Sequence, residues 1–393
     1  MEYNYRVEID WNKDMKDVIS VSTEFVKSIL IDRDYDNKNM PTIYITLSIS
    51  RNLADQIILY KQSSSIFFRL FKFKQNNEDF EEEYINDEFL YFISDDINYN
   101  KNVEFKDNED IEKDDEYREL VIGMLNKSLL DINKLQYSTI FKDSTTSSII
   151  LHLTSKLNLK NLIINKPISY KSNDIFIIPK LDSIAKIIEY IDNRYHTIYS
   201  TPYRFFMDFD RTYLLNSEGI GCPITNEFNV INIDIRDPAS YGAVEQGMIT
   251  DINNKSYYIY INANDTKMYN SNLLDKDFNI LLGINDNTQI EVPLSSYNEN
   301  TDIKRYHHMR IYNNNYGILD NYKKKLEMDC NLLYIYKSNI DCSVFTLNKQ
   351  YNILNVSDYS KYNGNFLLTR KRELYVYEND KLKSSVMLYF KIP

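Results

Sequence analysis

The stretch Asn173–Gly219, NDIFIIPKLDSIAKIIEYIDNRYHTIYSTPYRFFMDFDRTYLLNSEG, decides how the rest of the chain is interpreted. It opens with an apolar run, Ile175–Ile178, which predicts a strand that stops at Pro179. An aromatic run from Tyr203 to Leu215 predicts a second strand, closed by the turn residues Asn216–Gly219. Because the chain is β-rich on both sides, we interpret this stretch as the joint between two β-rich halves.

A helix is predicted between these two strands. Apolar residues recur there at steps of three and four, which places them on one helix face: Leu181, Ile184, Ile188 and Ile191. Asp182 or Ser183 is positioned to be its N-cap.

Residues 3–105 predict mainly β-structure. Apolar and polar residues alternate in several segments, as in strands with one buried face: Tyr5–Asp10, Thr42–Ser50, Ile66–Lys74 and Glu88–Ser94. The segment Val18–Ile31 fits either a strand pair or a short helix. Several amphipathic strands with few helices indicate a small closed barrel or a sandwich.

The middle of the chain carries the helical patterns. After the charge run 107–116, which predicts a loop, apolar residues at helical spacing predict a helix: Tyr117, Leu120, Val121, Met124 and Leu125. A second helix is predicted at about Thr145–Leu157, followed by a strand at Leu162–Asn165.

From Tyr203 onward the patterns are again those of strands, with many Asn and Asp residues in a loop-rich insertion at about 263–330. The predicted strands are Ile231–Ile235, Tyr257–Asn262, Asn279–Ile284, Leu332–Lys337, Phe366–Thr369, Leu374–Tyr377 and Val386–Ile392. Tyr362–Asn365 predicts a turn between two of them.

Composition limits the function. The chain has 393 residues, enough for about two to four subdomains, and a net charge of −11, which argues against coating nucleic acid. Neither a signal peptide nor a membrane span is indicated. Three cysteines without CxxC spacing, Cys222, Cys330 and Cys342, indicate reduced thiols. The 34 tyrosines fit either genome bias with β-propensity or an interface-rich surface.

Sequence motifs of catalysis are few. Asp208 and Asp210 lie two apart on a predicted strand and therefore point to the same side, where paired carboxylates could cleave a glycosidic bond. A polar strand face that meets solvent or a partner explains them better. His152, His196 and the adjacent His307 and His308 lack the arrangement of metal ligands or of a catalytic triad. We therefore predict no catalytic, cofactor-binding or metal site and no cofactor.

The pattern of an apolar strand ending in Pro, a helix, a Tyr-containing turn and FFxDFDxxYLL resembles the central baseplate hub protein of contractile phage tails and tailocins. The residues that carry the resemblance are Ile177, Ile178, Pro179, Tyr195, Tyr199, Phe205, Phe206, Asp208, Phe209, Asp210, Tyr213 and Leu214. The remainder of the chain is similar to that family in length and element order.

The resemblance implies a β-dominated α+β fold with two tail-tube-like β-barrel domains, a helix-bearing middle domain and loop-rich insertions. The expected domains are a first barrel at 1–110, the helix-bearing domain at 111–202, a second barrel-like domain at 203–345 and a C-terminal β segment at 346–393. Because the last predicted strand ends near Pro393, we expect no peptidoglycan-cleaving extension.

The resemblance also implies the partners. They are two further copies in a homotrimer, the central spike protein, the tail tube or a tube-terminal baseplate protein, and the baseplate wedge proteins. DNA would only pass through the lumen. The expected location is the tail baseplate of a virion or tailocin particle assembled in the host cytoplasm. The alternatives are a tail-associated glycan-binding β-module that uses exposed Tyr, and a peptidoglycan hydrolase that uses Asp208 and Asp210.

Overall fold

A computed structural model describes most of the chain outside the segment 273–330. The described residues are 3–11, 19–36, 38–60, 65–74, 77–93, 117–157, 159, 161–165, 172–194, 198–199, 203–216, 230–236, 248–251, 256–262, 267–272, 331–338, 341–347, 350–354 and 364–391. Within them the fold is dominated by strands, as predicted.

The strands of the first half are β1 (Tyr3–Trp11), β2 (Ile19–Ser22), β3 (Val26–Asp34), β4 (Thr42–Ser50), β5 (Ser65–Lys74), β6 (Asn77–Ile93), β7 (Tyr117–Asn126), β8 (Tyr137–Thr145), β9 (Leu162–Ile164) and β10 (Ser172–Leu181). The helices are α1 (Arg51–Tyr60), α2 (Lys127–Asn133), α3 (Thr146–Lys156) and α4 (Ile184–Arg194).

The strands of the second half are β11 (Tyr203–Met207), β12 (Thr212–Asn216), β13 (Val230–Arg236), β14 (Met248–Asp251), β15 (Ser256–Asn262), β16 (Lys267–Asn272), β17 (Asn331–Ser338), β18 (Gln350–Leu354), β19 (Gly364–Glu378) and β20 (Lys381–Lys391). A 3-10 turn, Cys342–Val344, precedes β18.

Eight antiparallel strands close into a ring in the order β19, β3, β4, β7, β6, β5, β1 and β20, and β20 pairs back onto β19. The contact between Tyr5 of β1 and Leu382 of β20 closes the ring. Closure removes the free strand edges that would otherwise pair with other chains. Strands from both ends of the sequence therefore complete one barrel.

The barrel is filled by alternate residues that point inward. Trp11, Phe68 and Phe89 are fully buried there, and α1 adds Ala54 and Ile57 to the same core. The Tyr91 hydroxyl donates to the carbonyl of Ile57 at 3.0 Å, which fixes α1 against β6. The alternation explains why these segments form strands: in a strand every second side chain points into the core, and burying these apolar side chains stabilises the fold.

The hairpin of β19 and β20 belongs to two sheets. Residues Arg370–Val376 of β19 pair with β3 in the barrel, whereas Tyr351–Ile353 of β18 pair with its first residues. On the other strand, Leu382 contacts β1 and the segment Ser385–Lys391 pairs with β17. β19 has 15 residues and so spans about 50 Å when extended. The hairpin thus runs from the barrel into a second sheet.

The second sheet follows the order β14, β15, β13, β18, β19, β20, β17 and β16. In it β13 runs parallel to both β15 and β18, whereas the other pairs are antiparallel. The barrel itself contains no parallel pair among its described strands. The two units therefore share a hairpin but differ in strand arrangement.

The middle of the chain forms two small sheets with helices. β10 pairs with β8, and β12 pairs with β11 on one side and with β9 on the other. One apolar face of α4 is buried, as its spacing predicts, through Ile184, Ile187, Ile188 and Ile191. The backbone N–H of Lys186 donates to the Ser183 hydroxyl at 3.2 Å, so Ser183 is the residue that caps α4.

The helix predicted from Tyr117 to Leu125 was wrong, because these residues form β7. Leu120, Ile122 and Met124 are buried, which is the alternation of a strand. The apolar spacing of this segment fits both periods, and pairing with β4 on one side and β6 on the other decides between them. The helix predicted at Thr145–Leu157 is confirmed by α3, which Thr145 caps through the N–H of Ser148.

Three further predictions at element ends are corrected. β10 continues through Pro179 to Leu181, with a register shift between Ile178 and Leu181. Leu181 therefore lies in a strand and not on the helix face. The strand predicted from Tyr203 to Leu215 is the hairpin of β11 and β12.

Elsewhere, the alternatives for Val18–Ile31 resolve into two strands, β2 and β3, joined by a 3-10 turn. The two strands predicted at Phe366–Thr369 and Leu374–Tyr377 are parts of the single strand β19. The strands predicted at Thr42–Ser50, Ile231–Ile235 and Tyr257–Asn262 are confirmed by β4, β13 and β15. The strand predicted at 279–284 and the loop at 107–116 lie outside the described residues, and the domain limits stay predictions.

Two phenylalanines on β6 provide a test of the barrel. Phe89 is fully buried, whereas Phe92 on the same strand is 37% exposed. We expect Phe89→Ala to lower the free energy of unfolding by about 3–5 kcal/mol because it empties part of the core. Phe92→Ala is the matched control and should cost less than about 1 kcal/mol. Urea unfolding of both variants measures the difference, and equal losses would contradict the inward and outward assignment.

Candidate functional site

A cluster of four buried charged residues joins the barrel to the middle of the chain. We call it the ionic junction, and its members are Arg33 of β3, Asp208 after β11, and Lys371 and Glu373 of β19. All four are buried. Three distant parts of the sequence therefore meet at one point.

Arg33 is the centre of the junction. Its Nε lies 3.0 and 3.1 Å from the two carboxylate oxygens of Asp208, and its Nη1 donates to Glu373. The guanidinium also lies over the ring of Phe209, 5.1 Å from the ring centre. A buried guanidinium needs such partners because an unpaired buried charge is very costly.

Glu373 is fully buried, and its carboxylate accepts hydrogen bonds from four side chains. Besides Arg33, they are the Lys371 ammonium at 2.7 Å, the Tyr375 hydroxyl at 2.7 Å and the Tyr84 hydroxyl at 3.0 Å. Tyr84 comes from β6, so this one carboxylate ties β3, β6 and β19 together across the barrel. Because every oxygen of this carboxylate has hydrogen-bond partners, the free-energy cost of burying its charge is offset.

Lys371 extends the junction toward the second sheet. Its ammonium donates to the carbonyl oxygens of Cys342 at 2.7 Å and Phe345 at 2.8 Å. With Glu373 as the third acceptor, all three donors of the ammonium are used. Lys72 of β5 pairs with Asp341 at 2.6 Å beside it, so the segment 341–347 is held by two lysines of different strands.

The β11–β12 hairpin docks on the residues that follow β3. The backbone N–H of Met207 donates to the carbonyl of Asn39 at 2.8 Å, and Arg204 pairs with Asp36 at 2.6 Å. The ring of Tyr35 lies edge-on against Phe206, with 4.7 Å between ring centres. Apolar packing and an ion pair therefore both stabilise the contact between the β11–β12 hairpin and the residues after β3.

The electrostatic environment keeps the junction charged. Burial by itself raises the pKa of Glu373, but the attraction of Arg33 and Lys371 outweighs it and lowers the pKa to about 2. Burial likewise disfavours the charged form of Arg33, yet Asp208 and Glu373 hold its pKa well above the usual range. Burial raises the pKa of Tyr84 and of Tyr375, so both remain neutral hydrogen-bond donors to Glu373.

The structure separates the two aspartates that the sequence places on one strand face. Asp208 follows β11 in the turn, is buried and pairs with Arg33. The side chain of Asp210 is 60% exposed and pairs with Arg211 at 2.6 Å. The expectation that both point to one side of a strand was wrong, because β11 ends at Met207 and both aspartates lie in the turn before β12. Asp208 is also not on a polar face that meets solvent.

The remaining histidines and cysteines of the sequence analysis have no catalytic arrangement among the described residues. His152 is exposed on α3, where its Nε2 lies 3.1 Å from the Tyr137 hydroxyl and its ring packs edge-on against Phe141. The Cys342 thiol is buried and donates to the carbonyl oxygen of Ser385 at 3.9 Å, and burial raises its pKa. His196, His307, His308, Cys222 and Cys330 lie outside the described residues.

In the described part of the chain, no group of three His, Cys, Asp or Glu residues could hold a metal ion. None of the described helices is both long and apolar enough to cross a membrane.

Sequence reasoning missed Arg33, Lys371 and Glu373. The signal for them is a charged residue at an inward position of an otherwise apolar strand. Arg33 follows Ile29 and Ile31 at steps of two, and Lys371, Glu373 and Tyr375 are spaced likewise. Such a pattern indicates that a buried charge has a partner, but it does not say which one.

Three solved structures are among those to which the chain is similar. A tail protein from Neisseria meningitidis MC58 is 10% identical, with 99% of this chain and 97% of that one covered and a TM-score of 0.48. The 43 kDa tail protein of prophage MuSo2 from Shewanella oneidensis is 8% identical over 97% of both chains, with a TM-score of 0.43. The E. coli c3393 protein, described as a type VI secretion component with structural similarity to the T4 tail proteins gp27 and gp5, is 6% identical over 98% of this chain and 77% of that one, with a TM-score of 0.45.

Comparison with curated protein sequences gives no match. The family described as Bacteriophage PBS1 gene 109 protein matches residues 2–392. The chain therefore belongs to this bacteriophage protein family. The bacteriophage origin that the sequence resemblance implies is confirmed at this level.

Asp208 and Asp210 form a matched pair for testing the junction. Asp208→Asn leaves Arg33 short of one buried counter-charge, so we expect it to lower the free energy of unfolding by about 3–5 kcal/mol. Asp210→Asn changes an exposed ion pair and should cost about 0.5 kcal/mol or less. Urea unfolding at neutral pH compares them, and a similar cost for both would show that the junction does not stabilise the fold.

Glu373 gives the junction a defined pH dependence. Because folding lowers its pKa to about 2, its contribution to stability is complete above its ordinary pKa, near pH 5, and is lost as the pH falls toward 2. We expect Glu373→Gln to destabilise the protein by about 3–5 kcal/mol at pH 7, and this deficit should shrink as the pH is lowered below 5.

Urea unfolding of wild type and variant from pH 7 to pH 3 tests this dependence. Glu378→Gln, which changes an exposed pair with Lys383, is the control at pH 7. A deficit for Glu373→Gln that stays constant with pH would contradict the assigned role of this carboxylate.

Proposed function

We propose that this protein is the central baseplate hub of a contractile phage tail or tailocin. In this role three copies form a ring that adapts the sixfold tail tube to the threefold central spike. The proposal is a structural role, in which the protein binds neighbouring proteins and performs no reaction.

The observation that carries the proposal is the hairpin of β19 and β20, which enters both β units of the chain. An adaptor between six subunits and three needs two β units in each of its three subunits. Those units must also keep a fixed relation to each other, and a shared hairpin provides that without a flexible linker. Membership of a bacteriophage family and the FFxDFDxxYLL stretch support the same role.

The ionic junction supports a structural role over a catalytic one. The carboxylates of Asp208 and Glu373 are occupied by Arg33, Lys371 and two tyrosines. A general acid or base needs access to substrate and a pKa near the working pH. Glu373 is fully buried, and its pKa is about 2. These carboxylates therefore serve the fold.

The proposal defines the partners. The hub would bind two copies of itself, the central spike protein, the tail tube or a tube-terminal protein, and the wedge proteins around it. DNA would pass through the lumen without stable binding, which agrees with the net charge of −11. The protein would be assembled in the host cytoplasm and reside in the tail baseplate.

The native mass tests the trimer. Three copies of the 46.8 kDa chain give 140.4 kDa. We expect light scattering after size exclusion to give this mass for the protein alone, or, once the spike protein is added, the mass of a complex that contains three copies of this chain. A mass of 46.8 kDa under both conditions would overturn the hub assignment.

A further inference from the structure

The eight strands of the barrel come from two separate parts of the chain. Residues 3–126 supply six of them, which pair in the order β3, β4, β7, β6, β5 and β1. We call these six strands the open sheet, since none of their mutual pairings needs a residue from elsewhere in the chain. Residues 364–391 supply the other two strands, β19 and β20, which we call the closing hairpin.

The closing hairpin meets the open sheet at two seams of unequal length. Seven residues of β19, Arg370–Val376, pair with Ser28–Asp34 of β3. At the other seam, the register of β1 and β20 holds the single pair of Tyr5 and Leu382 among the described residues. The backbone pairing that closes the barrel therefore lies mainly between β3 and β19.

The edge of β1 beyond Tyr5 is covered by residues close to it in sequence. The backbone N–H of Val7 donates to the Thr23 hydroxyl at 2.9 Å, and that hydroxyl donates to the Val7 carbonyl at 3.2 Å. The next residues, Glu8–Trp11, pair with β2. In contrast, Ser28–Asp34 of β3 obtain their second neighbouring strand only from the closing hairpin.

The seam between β3 and β19 is marked by charge. Asp32 accepts hydrogen bonds from Arg370 of β19 at 2.7 and 2.9 Å, besides one from Lys38 at 2.9 Å. Its neighbour Arg33 donates to Glu373 of β19. Because adjacent residues of a strand point to opposite faces, each face of the seam carries an ion pair. A slip of one residue would move Glu373 to the wrong face, so the charges specify the register as well as the strand.

Closure buries Arg33 together with its partner. In the open sheet β3 is an edge strand, where water can solvate the guanidinium. When β19 docks, Arg33 becomes buried and pairs with Glu373, while Asp208 provides its second counter-charge. A buried ion without a partner is thereby avoided at both stages. A charge that points inward from an edge strand also opposes pairing with the wrong strand.

We propose that the open sheet forms first during folding, and that the closing hairpin docks on it last, directed by these charges. All pairings of the open sheet are made within residues 3–126, whereas the pair of Arg33 and Glu373 spans 340 positions. Loop closure costs more entropy as the loop lengthens, so contacts between near residues form before those between distant ones. Residues 364–391 are therefore the closing strap of the barrel.

Pulsed hydrogen exchange during refolding of the full chain from urea tests this order. β4 lies between β3 and β7, so both of its ladders belong to the open sheet. β3 lies between β4 and β19, so its amides face the open sheet and the closing hairpin alternately. We expect Thr42–Ser50 to become protected in one early step and Val26–Asp34 in two steps, the second of which reports closure. Protection of both segments in one common step would overturn the proposal.

The same substitution at two buried leucines separates the two steps. Leu47 of β4 and Leu382 of β20 are both 0% exposed and belong to one core. We expect Leu47→Ala to slow the early step at least about fivefold, and Leu382→Ala to leave its rate within about twofold because β20 is not yet docked. An early step that Leu382→Ala slows as much as Leu47→Ala does would contradict the order. The labelling of the wild type decides the order even if a variant does not fold.

Asp32→Asn tests the role of the charges, because it removes the charge that meets Arg370 across the seam. We expect it to slow the second protection step of β3 at least about threefold and to leave the first unchanged. Glu119→Gln is the control, since it changes an exposed pair with Lys27 that lies within the open sheet. A second step that Asp32→Asn leaves at the wild-type rate would overturn the directing role of these charges.

Discussion

The charge of Arg33 is the feature on which the arrangement of the chain depends. It is buried on β3 and is neutralised by Asp208, 175 positions away, and by Glu373, 340 positions away. An unpaired guanidinium in that place would cost several kcal/mol, so Arg33 favours the arrangement in which the barrel, the β11–β12 hairpin and the C-terminal hairpin are packed together. The junction therefore makes one cooperative unit from segments that local propensity would leave independent.

The shared hairpin gives this unit its shape. Because β19 and β20 close the barrel at one end and pair with β18 and β17 at the other, the two β units cannot rotate independently without breaking ladder hydrogen bonds. Lys371 reinforces the same boundary by binding the backbone of the segment 341–347. The two β units are therefore joined stiffly.

The parts of the fold that the sequence predicts are those set by neighbouring residues. Thr42–Ser50 alternates cleanly and forms β4 with the expected limits, and the spacing of Ile184, Ile188 and Ile191 forms the buried face of α4. The segment from Tyr117 to Leu125 fits a helix and a strand equally, and only its pairing partners decide. Long-range pairing is invisible to a periodicity argument, which also explains why the role of β19 and β20 in closing the barrel was missed.

The candidate site was less predictable than the fold. Asp208 drew attention as half of a carboxylate pair, yet its partner is Arg33, and both it and Asp210 lie in the turn after β11 ends at Met207. Arg33 and Glu373 interrupt apolar strand faces, a pattern that shows burial without naming the counter-charge. Which residue pairs with a buried charge hundreds of positions away depends on the complete topology of the chain. No local sequence pattern can predict that partner.

The most direct test of the account is the position of this protein in an intact tail, determined by electron cryo-microscopy. The account predicts three copies in one ring between the tube and the central spike, with the barrel and the second sheet of each copy alternating around the ring. Six copies in a ring, or a location at the periphery of the tail, would contradict it.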